Sequence, residues 1–209
     1  NISHDRENII DFGGESGFLG DFLSKNLKQF KSQRIYDLKH PLVENITTKF
    51  FDPDLKTSYI TFNMNKDSFE IKEVDNKSFI ICSETLEHVG NPLKNSRQLI
   101  NLARESNCDL YISYPIETGL KGFIKFVIKL LIGRYKKRRD TKSLFNQLFW
   151  LIGLKKDFRV KKEMYFDHDG FNNIALTKNI KRICNENKIN YKIFKGLFTI
   201  HIFIKKEGL

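Results

Sequence analysis

Cysteine is scarce in this chain of 209 residues, which holds three: Cys82, Cys108 and Cys184. An odd number without metal-ligand spacing excludes a disulfide framework and a cysteine-built metal centre, and fits a reducing, cytoplasmic compartment. Long apolar runs are also lacking. The longest, within residues 120–133, are too short to span a bilayer. The opening NISHDREN is polar and has no apolar core of the kind a signal peptide needs. No metal constellation is present either, since DHD at residues 167–169 is too compact to hold an ion alone and no partner cluster has suitable spacing. A cysteine nucleophile is excluded on similar grounds: Cys82 falls in a run that reads as buried strand, with no assignable base beside it.

What is present fits one substantial α/β domain spanning residues 1–209, with an ordinary core. The chain is organised around IIDFGGESGFLGD, residues 9–21: an apolar strand, an acid, a turn holding Gly13, Gly14, Gly17 and Gly20, and a helix from Phe18. Such a turn lets backbone approach a ligand closely, with the helix N-terminal amides facing an anionic group. Its plain alternative is a tight turn and nothing more. About twenty residues on, Asp37 closes a short strand from Ile35, the spacing at which α/β nucleotide folds place an acid on ribose hydroxyls.

The chain then alternates strands and helices. An amphipathic helix spans Phe18 to Phe30, and a loop is expected over Leu42 to Asp54. Strands are expected at Ser58 to Phe62, at Phe79 to Cys82 (apolar throughout, hence central) and at Leu110 to Tyr114, with a helix over Asn95 to Glu105 between the last two. Another helix is expected over Ile174 to Asn187, followed by two β-rich runs, YKIFKG and LFTIHIFIKK. This order implies a Rossmann-like, doubly wound, mostly parallel sheet, with Gly13, Asp37, Asn63, Ser83 and Tyr114 converging at its carboxyl edge. His201, among alternating apolar residues, reads as a structural histidine.

DFGGESG, then YD, then CSETLEHVGNPL followed by a helix and DLYISYP, resemble the successive motifs of class I S-adenosylmethionine-dependent methyltransferases. The resemblance covers residues 9–117 well and 166–209 loosely. It implies a seven-stranded sheet closed by an antiparallel last strand, and S-adenosyl-L-methionine as cofactor. The family's DxGxGxG turn falls on Asp11, Gly13, Glu15 and Gly17, with Gly14 inside it; Glu15 replaces the middle glycine, where a carboxylate is expected to crowd the cofactor's methionine carboxylate. Asp37 matches the ribose-binding acid. The adenine-contacting acid falls on Asn63 or Asn65, and Ser83 closes the fourth strand. In the strand before CSE, Lys77 and Ser78 stand where the family has an acid. Family members usually carry one or two helices before the first strand, a segment expected to be missing here or supplied otherwise.

Methyl transfer from a sulfonium is an in-line displacement that needs positioning, and for an oxygen acceptor a base. Two histidines are candidates. His88, in ETLEHVGNP, follows the fourth strand, where it either takes the proton or orients the loop. His168, between Asp167 and Asp169, has its proton affinity raised by both. Glu84 and Glu87 contact substrate or hold the loop. The implied activity is methylation of an oxygen on a small-molecule, sugar or lipid-linked acceptor. The alternative is a degenerate, non-catalytic domain that binds a membrane surface or a partner.

Between the fifth and sixth strands the pattern breaks. Residues 120–165 carry fourteen Lys and Arg against three Asp and Glu, a surplus equal to the whole chain's net charge of +11. In LKGFIKFVIKLLIG, Lys121, Lys125 and Lys129 form one helical stripe within a broad apolar face, and RYKKRR follows. This basic amphipathic helical insert, residues 118–165, has three readings: a lid over the cleft, a peripheral contact of residues 120–139 with an anionic inner-membrane surface, or a nucleic-acid contact through phosphates near Tyr135 and Phe145. Bulky aliphatics interleave the basic residues more than a nucleic-acid face requires, which weakens the third.

Overall fold

The computed structural model describes residues 4–38, 52–116, 124, 127–128 and 171–205. In chain order the elements are β1 (Asn8–Phe12), α1 (Phe18–Leu27), β2 (Ser32–Asp37), β3 (Lys56–Thr61), β4 (Ser78–Ser83), α2 (Pro92–Glu105), β5 (Asp109–Pro115), α3 (Asn173–Glu186), β6 (Tyr191–Lys195) and β7 (Thr199–Ile204). Among the described residues seven strands form one sheet in the order β3-β2-β1-β4-β5-β7-β6. The neighbours from β3 to β5 are parallel, and β7 runs antiparallel to both β5 and β6. The expected architecture is therefore the observed one, with β7 as its antiparallel strand.

The sheet sorts its side chains by the two-residue period of a strand. Ile9, Phe79 and Ile81 face one layer, where Leu19 and Leu23 of α1 join them. Ile10, Phe12, Ile80, Cys82, Leu110, Ile112 and Tyr114 face the other, beneath Leu99, Ile100 and Ala103 of α2 and Leu176, Ile180 and Ile183 of α3. β4, SFIICS, is buried almost throughout because it is covered on both faces. Each fully buried Ile or Leu here contributes about 1.5–3 kcal/mol.

Helix α1 stops at Leu27, short of the expected Phe30, where Lys28 takes a left-handed C-cap at φ 55°, and β3 sits one to two residues earlier than expected. Two other boundaries differ for reasons given by their partners. Helix α2 begins at Pro92, ahead of the apolar periodicity, because Asn91 caps it by accepting the Lys94 N–H at 3.0 Å and proline at the first helical position loses no hydrogen bond. Strand β2 begins at Ser32 because Ser32, Gln33 and Arg34 pair with Asn8, Ile9 and Ile10. Gln33 is polar yet fully buried; its amide donates to the Gly17 carbonyl at 3.1 Å and so ties β2 to the start of α1. In the β3–β4 connection Phe62 and Phe69 pack with Phe12 and Tyr36, ring centroids 5.2–5.7 Å apart. Most of the loop expected at residues 42–54, the insert at 118–165 and His168 lie outside the described residues. Of the insert only residues 124, 127 and 128 are described, and these three are helical.

At the amino edge of the sheet, Arg6 is fully buried. Its Nε donates to Asp109 Oδ2 at 3.2 Å and its Nη1 to the Asn76 carbonyl, linking the entry to β1 with the start of β5 across 103 residues. Removing one member of such a pair strands the other charge in the interior, which costs on the order of 3–5 kcal/mol. Asp109→Ala is expected to lower the unfolding free energy by that order in urea titrations, whereas joint replacement by Arg6→Met and Asp109→Leu costs less than the single change.

Candidate cofactor site at the carboxyl edge

The strand order reverses direction of growth between β1 and β4, and the crevice outside the carboxyl ends at such a point is where open α/β sheets bind ligands. The loop from β1 to α1 shapes that crevice. Gly13 has φ +70° and donates its N–H to the Tyr36 carbonyl at 2.8 Å. A Cβ at Gly13 would stand 2.2 Å from Thr85 Cγ2, so glycine is needed both for the backbone conformation and for the close approach. Thr85 Oγ1 in turn donates toward the Phe12 carbonyl (3.2 Å) and the Ser83 carbonyl (2.9 Å), holding the end of β1 against the end of β4. A Cβ on Gly14 would stand 2.4 Å from the Asp11 carboxyl, which packs beneath the loop. Gly17 is the N-cap of α1 and provides no side-chain cap, so the amides of the first helical turn face the loop without one.

Asp37, at the tip of β2, turns toward this loop. Its Oδ2 accepts the N–H of Glu15 at 2.8 Å and its Oδ1 accepts the N–H of Leu38 at 2.6 Å. Glu15 itself sits at φ +45°, a left-handed conformation that costs a non-glycine residue about 1 kcal/mol, and its carbonyl accepts a hydrogen bond from the Tyr59 hydroxyl of β3. Its side chain is exposed. Both polar groups of the Glu15 backbone are engaged, so the loop is held there by its backbone.

The other sequence-derived residues are placed as follows. Ser83 shares a hydrogen bond with Ser113 of β5 (2.8 Å between hydroxyl oxygens), and Ser113 lies 3.4 Å from Glu84 Oε1. Glu84 takes φ +52°, a second left-handed non-glycine residue at this edge. His88 is half-buried in the loop after β4; its N–H bonds the Thr85 carbonyl at 2.9 Å and its Nε2 lies 4.0 Å from Glu87 Oε1. The Asn63 side-chain carbonyl accepts the Asn65 N–H at 3.0 Å, an Asx turn, while Asn65 Oδ1 accepts from the Gly90 N–H at 2.7 Å. The β3–β4 and β4–α2 connections are therefore joined beside the loop. Tyr114, expected at the same edge, turns instead into the opposite layer, where its hydroxyl meets Thr177 Oγ1 at 2.8 Å. His201 bonds the Tyr111 hydroxyl through Nδ1 at 2.8 Å and stacks on that ring.

Sequence reading gave no role to Thr85, Tyr59 or Ser113, although Thr85 lies within CSETLEHVGNPL and Ser113 within DLYISYP. Thr85 follows the recognised Ser83–Glu84 pair and carries no charge to draw attention. Tyr59 belongs to a weakly alternating strand, and Ser113 is a hydroxyl inside an apolar one.

Electrostatically the crevice is a pair of opposed acids. Burial, followed by the charge of Asp37, pushes the Asp11 carboxyl up to about 7, so it is half neutral near physiological pH. The same burial effect pushes the Cys82 thiol well above its ordinary value, which accords with an inert core cysteine.

No family model matches the chain, and no curated protein matches it in sequence. Its fold does match solved structures. An O-methyltransferase family protein from Burkholderia thailandensis superposes with a TM-score of 0.52 at 12% identity, over 97% of this chain and 52% of that one. A SAM-dependent methyltransferase from Aquifex aeolicus gives 0.51 at 13% identity, over 95% and 82% respectively. Human N-acetylserotonin methyltransferase, solved in complex with SAM, gives 0.52 at 12%, over 98% and 49%. The chain thus spans about half the length of the first and third. At these identities the likeness establishes the fold: a Rossmann-like sheet of the class I methyltransferase type.

Because Asp11 is driven toward its neutral form on folding, its contribution to stability is fully present below its ordinary value near 3.8 and is lost as pH rises to about 7. Urea-unfolding free energies are expected to fall across that window, on the order of 1.4 kcal/mol per pH unit. Asp11→Asn is expected to flatten the profile there and to be the more stable form above pH 7.

Proposed function

We propose that this chain binds S-adenosyl-L-methionine in the crevice between β1, β2 and β4 and methylates an oxygen of a small-molecule, sugar or lipid-linked acceptor. The observation that carries this reading is the meeting of the glycine loop with Asp37 at the point where strand order reverses. The donor set suits the group. Each Asp37 oxygen has one lone pair engaged by a backbone N–H, and each retains another for a ribose hydroxyl. The uncapped amides at the start of α1 favour a carboxylate. A partly neutral Asp11 beneath Gly14 moderates the repulsion that two ionised acids would exert on that carboxylate.

The bound cofactor would supply an electrophilic methyl group on a sulfonium centre. The chain supplies position and proton management. Thr85 fixes the loop after β4 against the glycine loop, and His88 follows three residues later at the same edge. In this reading His88 accepts the acceptor hydroxyl's proton, an effect worth roughly 10²–10⁴-fold in rate. His168 is the second candidate for that role.

A lipid-linked acceptor gains support from the insert. Ile124 and Ile128 are one helical turn apart and 45% and 46% exposed, within the stretch carrying Lys121, Lys125 and Lys129. Exposed isoleucines among lysines suit peripheral contact with anionic lipid. No helix among the described residues is long and apolar enough to cross a membrane.

Calorimetric titration with S-adenosylmethionine and its demethylated product tests the cofactor reading. Submillimolar dissociation constants are expected, with Asp37→Ala weakening both by roughly tenfold or more, the size of a lost hydrogen bond to a charged group. Constants above the millimolar range for both ligands would instead support the non-catalytic alternative. Binding to phosphatidylglycerol vesicles, weakened by salt and by Ile124→Asp with Ile128→Asp, is the expected signature of the lipid contact; equal binding to phosphatidylcholine would argue against it.

A further inference from the structure

Tyr59 lies on β3, opposite Ile35 of β2, in a strand that no motif marks. Its hydroxyl nevertheless reaches a loop 44 residues earlier and donates to the Glu15 carbonyl. On the other side of the same residue, the Glu15 N–H donates to Asp37 Oδ2 at 2.8 Å. Glu15 is thus grasped through both backbone polar groups, by one side chain from β2 and one from β3. This double hold explains how a residue other than glycine keeps φ +45° at the centre of the loop.

We infer that Tyr59 is a positioning residue for the cofactor: through the backbone on either side of the Glu15 Cα it fixes Asp37 in the orientation that receives the ribose hydroxyls. This rests on the cofactor reading given above. Asp37 hangs from the end of its strand and is oriented by the two N–H groups it accepts. One belongs to the next residue, Leu38, and cannot hold the carboxylate toward the crevice from outside β2. The other belongs to Glu15 and lies in the Gly14–Glu15 peptide; the Tyr59 hydroxyl holds the next peptide, Glu15–Ser16, and the two planes meet at the Glu15 Cα, where φ is +45°. Tyr59 keeps its donor over the physiological range, because burial and then the charges of Asp37, Asp11 and Glu15 all raise its phenol above its ordinary value. The arrangement also gives Glu15 a role without its side chain: any residue tolerating the left-handed conformation serves.

The test is Tyr59→Phe, which removes the hydroxyl and retains the ring, alone and combined with Asp37→Ala. In the ligand-free protein, hydrogen exchange at the Glu15 amide is expected to quicken about tenfold or more in Tyr59→Phe, with the melting temperature close to that of the unaltered chain. The dissociation constant for the demethylated cofactor should rise about three- to tenfold, and the KM for S-adenosylmethionine with it, while kcat stays within about twofold. In the Asp37→Ala background the tyrosine change should add less than about twofold, because both act on one contact. Unchanged exchange and affinity, or losses that multiply in the double variant, would overturn the inference while leaving the cofactor reading intact. Absence of binding by the unaltered chain would overturn both.

Discussion

The carboxylate of Asp37 resting on the amide of Glu15 is the contact on which the carboxyl edge depends. It joins a loop after β1 to the tip of β2, and it exists only because those strands run parallel in a register that places Phe12 beside Tyr36. The same register puts the Gly13 N–H on the Tyr36 carbonyl. A charged acceptor makes a stronger bond than a neutral one, roughly twice so, which suits a loop containing two residues in left-handed conformations besides Gly17. Thr85 closes the loop from the β4 side, so the backbone that would meet a ligand is fixed from both neighbours of β1.

The two edges of the sheet use buried charge differently. At the amino edge Arg6 and Asp109 neutralise one another in the interior, and their contact serves cohesion between β1 and β5. At the carboxyl edge Asp11 and Asp37 carry like charge, and the structure tolerates this by holding Asp11 near neutrality and by giving Asp37 two N–H donors.

The chain's positive charge is equally uneven. Outside residues 120–165 acids and bases balance, and the basic surplus is concentrated in the insert that follows β5. Such segregation keeps the long-range positive field on one stretch of the chain and away from the balanced remainder.

Local chemistry made much of the protein legible in its sequence. The continuous apolar run of β4, the 3.6-residue periodicity of α2 and α3 and the glycines after β1 each reflect a constraint confined to a few neighbouring residues, and each element appears where the spacing put it, within a few residues at the ends. Asp37 was legible for the same reason, as an acid at the close of a strand. Tyr59, Thr85 and Ser113 were not, because their roles come from partners 30 to 73 residues away that only the pairing of β3 with β2, and of β4 with β1 and β5, brings into reach. The backbone hold on Glu15 belongs to the same class, since its partners Asp37 and Tyr59 lie 22 and 44 residues away. Sequence by itself determined the order of elements and the identity of the loop, since hydrophobic period and glycine's lack of Cβ act locally; which side chains face the crevice was decided by strand register, a property of the assembled sheet.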